Sequence, residues 1–472
     1  MSSKKLQEAL SYISDDHIAK AASSKVKKRP YWVALTAAAL ALVILITIPL
    51  SPQSAKAQGL IAAPEYPQMA PYPTSTHGHD YSNSHYAAWR TSQAKQYSQP
   101  EGYADSLENY FTQVIPALIG NTDGKNTAAS PLSIYMALAM LAETTRGDTQ
   151  AQILELLGAD SLDALRTQAG HVWNAHYCAD GATSSLLASS LWLNRKLSYK
   201  PETVNNLSNS YYASVFQGDL GSDRMNKELQ TWLNQQTGDL LTDQSQKMRL
   251  DTASILSLTT TVLFRAKWAD SYKFQEKNNT DGVFHATGKD ITCTFMNRTL
   301  SYGPYFYGDD YSAVCLELED GSRMWFVLPD EEETPQSVLL SGEAMGMILQ
   351  GRNRQTADVK VNLSLPKFDI ASDSNIDGAL KDLGITNVFD PSSADFSGIL
   401  TEGNAYLDEA DHAVRVAIDE EGVTAAAYTS MQFCGAPIPP EDEVDFVLDR
   451  PFLFVISSRD GLPLFTGTVY EP

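Results

Sequence analysis

Cysteine is scarce in this chain of 472 residues, and so is positive charge. The four cysteines, Cys178, Cys293, Cys315 and Cys434, are widely separated. No C-x-x-C spacing offers a zinc site or a redox pair, so free thiols are expected rather than a disulfide framework. Cys434 is the thiol to watch, because an exposed one is oxidisable. Lys and Arg number 35 against 57 Asp and Glu, a net charge of -22. That balance argues against nucleic-acid binding, which needs cations for the phosphates. It fits a soluble, self-repelling surface. Catalytic signatures are missing too. There is no G-x-S-x-G elbow, no H-E-x-x-H and no exported S-x-x-K paired with a K-T-G strand. "GNTDGKN", Gly120 to Asn126, is one residue short of a P-loop, lacks its Ser or Thr, and reads as a turn. His77, His79 and His85 lie in a polar tract without the supporting shell that a metal site requires. Neither an enzyme nor a cofactor or metal is expected.

One long apolar run stands out against this background. Residues 1–30 are basic, with Lys25, Lys27, Lys28 and Arg29 directly before "YWVALTAAALALVILITIPL", Tyr31 to Leu50. That run is long enough to span a bilayer as a helix, and the basic flank places residues 1–30 in the cytoplasm. The expectation is a single-pass signal anchor at 31–50 with the rest of the chain outside the cell. Cleavage after Ala57 would instead secrete it, since "SAKA" ends in a small-x-small pattern. Residues 51–103 carry scattered prolines among Tyr, Ser, Gln and His, with no helical or strand period, and read as a disordered linker.

Folded structure is expected over 104–472 as one domain. Leu107, Tyr110, Phe111, Val114 and Leu118 recur at helical spacing. Ser130 before Pro131 is a cap followed by a first-turn proline, and "PLSIYMALAMLAE" is apolar nearly all round, which predicts a buried helix. Asp148 reads as the cap of a third helix that Gly158 ends. Later blocks such as "TTTVLFRAKW", "YSAVCLELE", "SRMWFVLP", "VKVNLSLPKFDI" and "FLFVISS" are β-branched runs bounded by turn residues. Helices first and strands later give an α+β domain with large, mostly antiparallel sheets.

The stretch "DEEGVTAAAYTSMQFCGAPIPPEDE", Asp419 to Glu443, is too apolar for a solvated loop and too small-sided for a core strand. In extended form Val423, Ala425, Ala427 and Thr429 share one face, and Thr424, Ala426 and Tyr428 the other. The first set is small or β-branched and uncharged. It could slide between two existing strands without overpacking what lies beneath. Gly422 gives the entry backbone freedom. No proline lies between Glu420 and Ala436, so each residue keeps its ladder donor.

The blocks that flank this stretch resemble the serpin family. "FVLDRPFLFVI", Phe446 to Ile456, is similar to the family signature, and "LPLFTGTVYEP" to its closing strand. "NTAASPLSIYMALAML", "LFRAKW", "LPKFDI", "LGITNVFDPSSADFSGI" and "DHAVRVAIDEEGVTAAAYT" follow in family order, so the resemblance covers 104–472. It implies a large central sheet, two further sheets, eight or nine helices and an exposed reactive-centre loop that baits a protease. It implies a monomeric serine protease inhibitor that acts by suicide trapping: the protease forms an acyl-enzyme, and the freed loop inserts as an extra strand. The hinge would run from Glu420 and Glu421 through Gly422 to Thr429. The register puts the first bait position at Ala436, before Pro437. Proline on the leaving side blocks most serine proteases, so cleavage is expected at Gly435-Ala436 or Cys434-Gly435. These small residues suit elastase-like or subtilisin-like enzymes. Ser130, Ser133 and His412 match the family's shutter, where the sheet opens, and Trp268 matches the tryptophan where insertion starts. Thr260 departs from the family, which usually has an asparagine there to hydrogen-bond the histidine. A non-inhibitory relative serving as a binding module, and an exported hydrolase, are the alternatives.

Overall fold

The computed structural model describes residues 59–72, 84–181, 183–252, 254–351, 355–407, 410–423 and 442–472. The expected anchor at 31–50, His77, His79, the His85 side chain, the hinge residues Thr424 to Thr429 and the scissile region Cys434 to Pro437 lie outside what is described.

Two sheets carry the fold. The central sheet runs β1 (Leu60–Ala62), β5 (Ala213–Gly218), β4 (Ser184–Asn194), β6 (Leu256–Lys267), β14 (Gly422–Val423), β13 (Asp411–Ile418) and β12 (Phe368–Asn375), with β3 (Cys178–Ala179) beside β4. The second runs β15 (Glu443–Val447), β11 (Gln355–Pro366), β8 (Lys289–Tyr307), β9 (Tyr311–Glu317), β10 (Arg323–Pro329), β16 (Phe452–Ser457), β17 (Pro463–Val469) and β2 (Thr127–Ala129), with β7 (Thr280–Ala286) on β8. Among the described residues only β4–β5 and β11–β15 pair in parallel, as the antiparallel expectation requires. The two smaller sheets expected appear as one, because β8 spans 19 residues and pairs with β7, β11 and β9 along its length.

The helices are α1 (Ser84–Tyr97), α2 (Leu107–Ile119), α3 (Pro131–Thr144), α4 (Gly147–Leu156), α5 (Leu162–His176), α6 (Pro201–Ser210), α7 (Asp223–Thr237), α8 (Thr242–Ser245), α9 (Pro335–Ser341), α10 (Glu343–Gln350) and α11 (Asp377–Asp382). These are eleven α-helical segments among the described residues, against the eight or nine expected. Part of the excess is the four-residue α8, and part is α1, which falls in the stretch expected to be a linker.

Helix α3 lies between the sheets and is buried along nearly its whole length. The Ser130 hydroxyl caps it by accepting from the Ser133 N–H at 3.2 Å, and Pro131 opens its first turn. Hydropathy does not explain the charge of Glu143, fully buried in α3. Its carboxylate accepts from Nε and one terminal nitrogen of Arg166 on α5, at 2.7 and 2.9 Å, from the Asn206 amide on α6 at 3.0 Å and from the Tyr211 hydroxyl at 3.1 Å. A buried carboxylate persists only when paired and hydrogen-bonded in this way.

Two further expectations are corrected. Asp148 sits inside the first turn of α4, and the cap position belongs to Arg146, whose backbone is extended. Asp148 there still opposes the positive end of the helix dipole. Residues 51–103 are not a structureless linker throughout. β1 pairs with β5, and α1 packs on α5. The contacts that order them are scattered aromatics and glutamines, which leave no hydropathic period.

Candidate functional site

The central sheet contains a seam. β6 and β13 are not paired to each other; between them stands β14, two residues long. Val423 pairs with Ala266 on one side and Ile418 on the other, and Gly422 with Lys267. Below that level no strand joins β6 to β13 among the described residues.

The upper end of the seam is built on the turn from β13 into β14. The Asp419 carboxylate accepts from the N–H groups of Glu421 and Gly422, at 2.8 and 3.2 Å, and the Asp419 N–H donates to the Gly422 carbonyl at 3.1 Å. Burial pushes the Asp419 carboxyl up, more than those two donors pull it down. Trp268, fully buried at the end of β6, grips the same turn. Its N–H donates to the Glu421 carbonyl at 3.1 Å, and its indole N–H to the Asp419 carbonyl at 2.9 Å. The indole stands edge-on to Phe274, with ring centres 5.8 Å apart.

Glu420 is held from the other side. Burial would raise its carboxyl, but an ion pair with Lys367 at 2.5 Å and a hydrogen bond from Asn279 outweigh it and keep the group below its ordinary value. Lys367 stands between β11 and β12. The turn is thereby fastened to both sheets. Gly422 is needed where it is. With φ at +150°, a Cβ would lie 2.4 Å from the Ala266 carbonyl oxygen and 2.6 Å from the Lys267 Cα, so any side chain strains the approach of β14 to β6.

The middle of the seam centres on His412, on β13 and 3% exposed. The Ser130 N–H donates to its Nε2 at 2.9 Å. A ring nitrogen that accepts carries no proton, so the neutral imidazole bears its proton on Nδ1. Burial lowers the ring's pKa to about 4, which keeps it neutral. Ser133 gives its N–H to the cap, and its buried hydroxyl has no partner among the described residues. Thr260 lies six residues below Ala266 on β6, and His412 six below Ile418 on β13. Equal, even offsets put the two at one height and on one face. No hydrogen bond joins them among the described residues, and Thr260 pairs across β4 with Ser189.

The structure thus gathers Glu420, Glu421, Gly422, Val423 and Trp268 at the upper end of the seam, and Ser130, Ser133 and His412 at its middle. Sequence reasoning missed Lys367 and Asn279. The lysine stands in the block "LPKFDI", where its charge between two strand runs was the available signal.

A family model described as "Serpin (serine protease inhibitor)" matches residues 106–472. Serpin-Z2B of Oryza sativa subsp. japonica is 27% identical over 387 residues, covering 75% of this chain and 93% of that protein. Plasminogen activator inhibitor 1 of Sus scrofa is 28% identical over 378 residues, covering 77% and 90%. Among solved structures, the thermophilic serpin tengpin in its native state aligns with a TM-score of 0.69 at 23% identity, covering 79% of this chain and 95% of that one. Thyroxine-binding globulin, in complex with thyroxine, aligns at 0.67 and 22%, covering 78% and 99%. At those identities the two structures speak for the fold alone.

Proposed function

Because this chain belongs to the serpin family of serine protease inhibitors, we propose that it traps serine-type endopeptidases by inserting its own loop into the seam between β6 and β13. The observation that carries this reading is the register of β14. Continuing the pairs at Val423 downward, two residues at a time, sets Ala425 between Phe264 and Val416, Ala427 between Val262 and Val414, and Thr429 between Thr260 and His412. The flanking residues at the first two levels are buried apolar side chains. Small residues fit between them, and a new strand would gain two ladders of hydrogen bonds.

The chemistry belongs to the victim. Its serine attacks the scissile carbonyl, the scissile C–N bond breaks to leave an acyl-enzyme, and the freed amine stays on the C-terminal segment, which remains in the second sheet as β15, β16 and β17. The freed loop then inserts. Some fifteen residues at ~3.3 Å each span about 50 Å, enough to carry the tethered protease across the sheet before it deacylates. The bait bond is Gly435-Ala436 or Cys434-Gly435, and the small side chains there favour elastase-like or subtilisin-like targets over enzymes with a charged specificity pocket. The inhibitor works outside the cell, anchored by residues 31–50. That placement rests on the apolar run and its basic flank. No helix among the described residues is long and apolar enough to cross a membrane.

The test is to mix the protein with elastase-like, subtilisin-like and trypsin-like proteases. A covalent complex that survives boiling in SDS is expected with the first two, and mass spectrometry of the C-terminal peptide should find a start at Ala436 or Gly435. Cleavage without a complex would favour the non-inhibitory alternative. Protease added to intact cells should remove the domain and leave an N-terminal fragment in the membrane, whereas a mature chain starting at Gln58 would mean secretion.

A further inference from the structure

The N-terminal segment before α2 is fastened to two parts of the molecule that loop insertion would separate. Its first part joins the β6 side of the seam. β1 extends the central sheet by pairing with β5, and the Gln217 N–H donates to the Gly59 carbonyl at 2.8 Å. The Tyr66 ring stacks on Trp173 of α5 at 5.3 Å. Helix α1 then reaches the start of β4, where Asp180 accepts from the Trp89 indole at 2.9 Å and the Gln93 amide at 2.8 Å. The Gln96 amide donates to the Asn174 carbonyl on α5 at 2.9 Å.

Its last part joins the second sheet. The guanidinium of Arg459 lies over the Tyr97 ring, 3.9 Å from its centre, and the Tyr103 hydroxyl donates to Asp460 at 2.9 Å. Arg459 and Asp460 form the turn between β16 and β17, which has no part in the seam.

An added strand takes about 4.8 Å of sheet width. Room for it comes if the β6 side, with β4 and β5, moves over the second sheet away from β13. A hydrogen bond tolerates a few tenths of an ångström, and a cation over a ring about 2 Å. The contacts on β5 and on Asp180 beside β4, and those on Arg459 and Asp460, cannot all survive such a slide. We propose that residues 59–72 and 84–103 are a clasp that holds the central sheet in its uninserted state, stabilising the loop-out form and having no equivalent hold on the inserted one. The proposal rests on the loop-insertion reading above.

The experiment uses the full chain, with Tyr97→Leu and Tyr103→Phe combined, and separately Arg459→Gln. Each protein is incubated warm with its loop uncleaved, and the loss of complex-forming capacity is followed over time. Conversion about tenfold faster than wild type is expected for the double variant, the product of one cation–π contact and one hydrogen bond lost before the barrier. The loop-cleaved variants should melt at the wild-type temperature, since the clasp no longer acts there. Equal conversion rates, or the same loss of melting temperature in cleaved and uncleaved forms, would overturn the clasp and leave insertion standing. A wild type whose melting temperature does not rise on loop cleavage would overturn insertion itself, and the clasp with it.

Discussion

The seam between β6 and β13 and the ladder through β10, β16 and β17 are made from similar apolar strands, yet they are closed differently. In the second sheet β10 pairs with β9 over seven residues and with β16 over five, and β16 and β17 are buried throughout. Every strand in that region has a neighbour along its length. In the central sheet β6 has 12 residues and β13 has 8, and only the two residues of β14 connect them among the described residues. On the proposed reading, the difference is where the fold would hold free energy in reserve without being loose elsewhere. Among the described residues, the unpaired ladder positions between β6 and β13 and their apolar faces form one slot, which is latched at its upper end by Trp268, Glu420 and Lys367.

The strongest way to break this comparison is to make the slot impassable. Ala427→Arg would bring a charge to the level of Val262 and Val414, both buried. Burying an unpaired guanidinium costs several kcal/mol, so insertion should stall while cleavage proceeds. The expected outcome is a protein that is cleaved at the wild-type rate and yields almost no SDS-stable complex. If insertion follows cleavage as proposed, its uncleaved form should melt like wild type. Undiminished trapping would mean that the loop does not enter between β6 and β13.

A smaller effect is expected from acid. His412 is neutral in the fold, with a pKa of about 4, against about 6.5 in the unfolded chain. The unfolded chain therefore binds more protons between those values. The stability that His412 contributes is complete above about pH 6.5 and is lost as pH falls toward 4, up to about 3 kcal/mol in all. Burial lowers His176 as well, so it adds with the same sign. Urea midpoints at pH 7 and 4.5 should show the loss in wild type. His412→Gln, whose amide oxygen can still accept from the Ser130 N–H, should flatten the profile without abolishing it. An unchanged slope would mean that the middle of the seam opens without exposing the imidazole.

Much of this contrast is legible in the amino-acid sequence alone. The apolar run of α3, its Ser130–Pro131 start and the strand blocks are read from period and composition, because each buries a continuous face. The proposed hinge stands out in the sequence for a related reason: small, uncharged residues alternate where a core strand would carry bulk. The latch does not. Glu420 and Lys367 are 53 residues apart in sequence, and an ion pair across two sheets leaves no local pattern. Glu143 is hidden inside an apolar run, held there by partners on α5 and α6. The N-terminal segment reads as a linker because α1 is held by glutamine amides and single aromatics, which hydropathy scores as solvent-facing.

Thr260→Asn gives the finest test of the seam. Thr260 and His412 occupy one level and one face on either side of the gap. The Nδ1–H of His412 needs an acceptor. A threonine hydroxyl, one atom beyond Cβ, is poorly placed to serve, whereas an asparagine reaches further and offers a carbonyl oxygen. A neutral hydrogen bond across the gap is worth about 1 kcal/mol. It would strengthen only the uninserted state, because an inserted Thr429 would come between the two strands at that level. The variant should therefore raise the melting temperature of the uncleaved protein by a few degrees, slow its spontaneous conversion about fivefold, and leave the melting of the cleaved form unchanged. A gain in both forms would place the new contact outside the seam, and no gain in either would mean that the strands at this level stand too far apart for one amide to bridge.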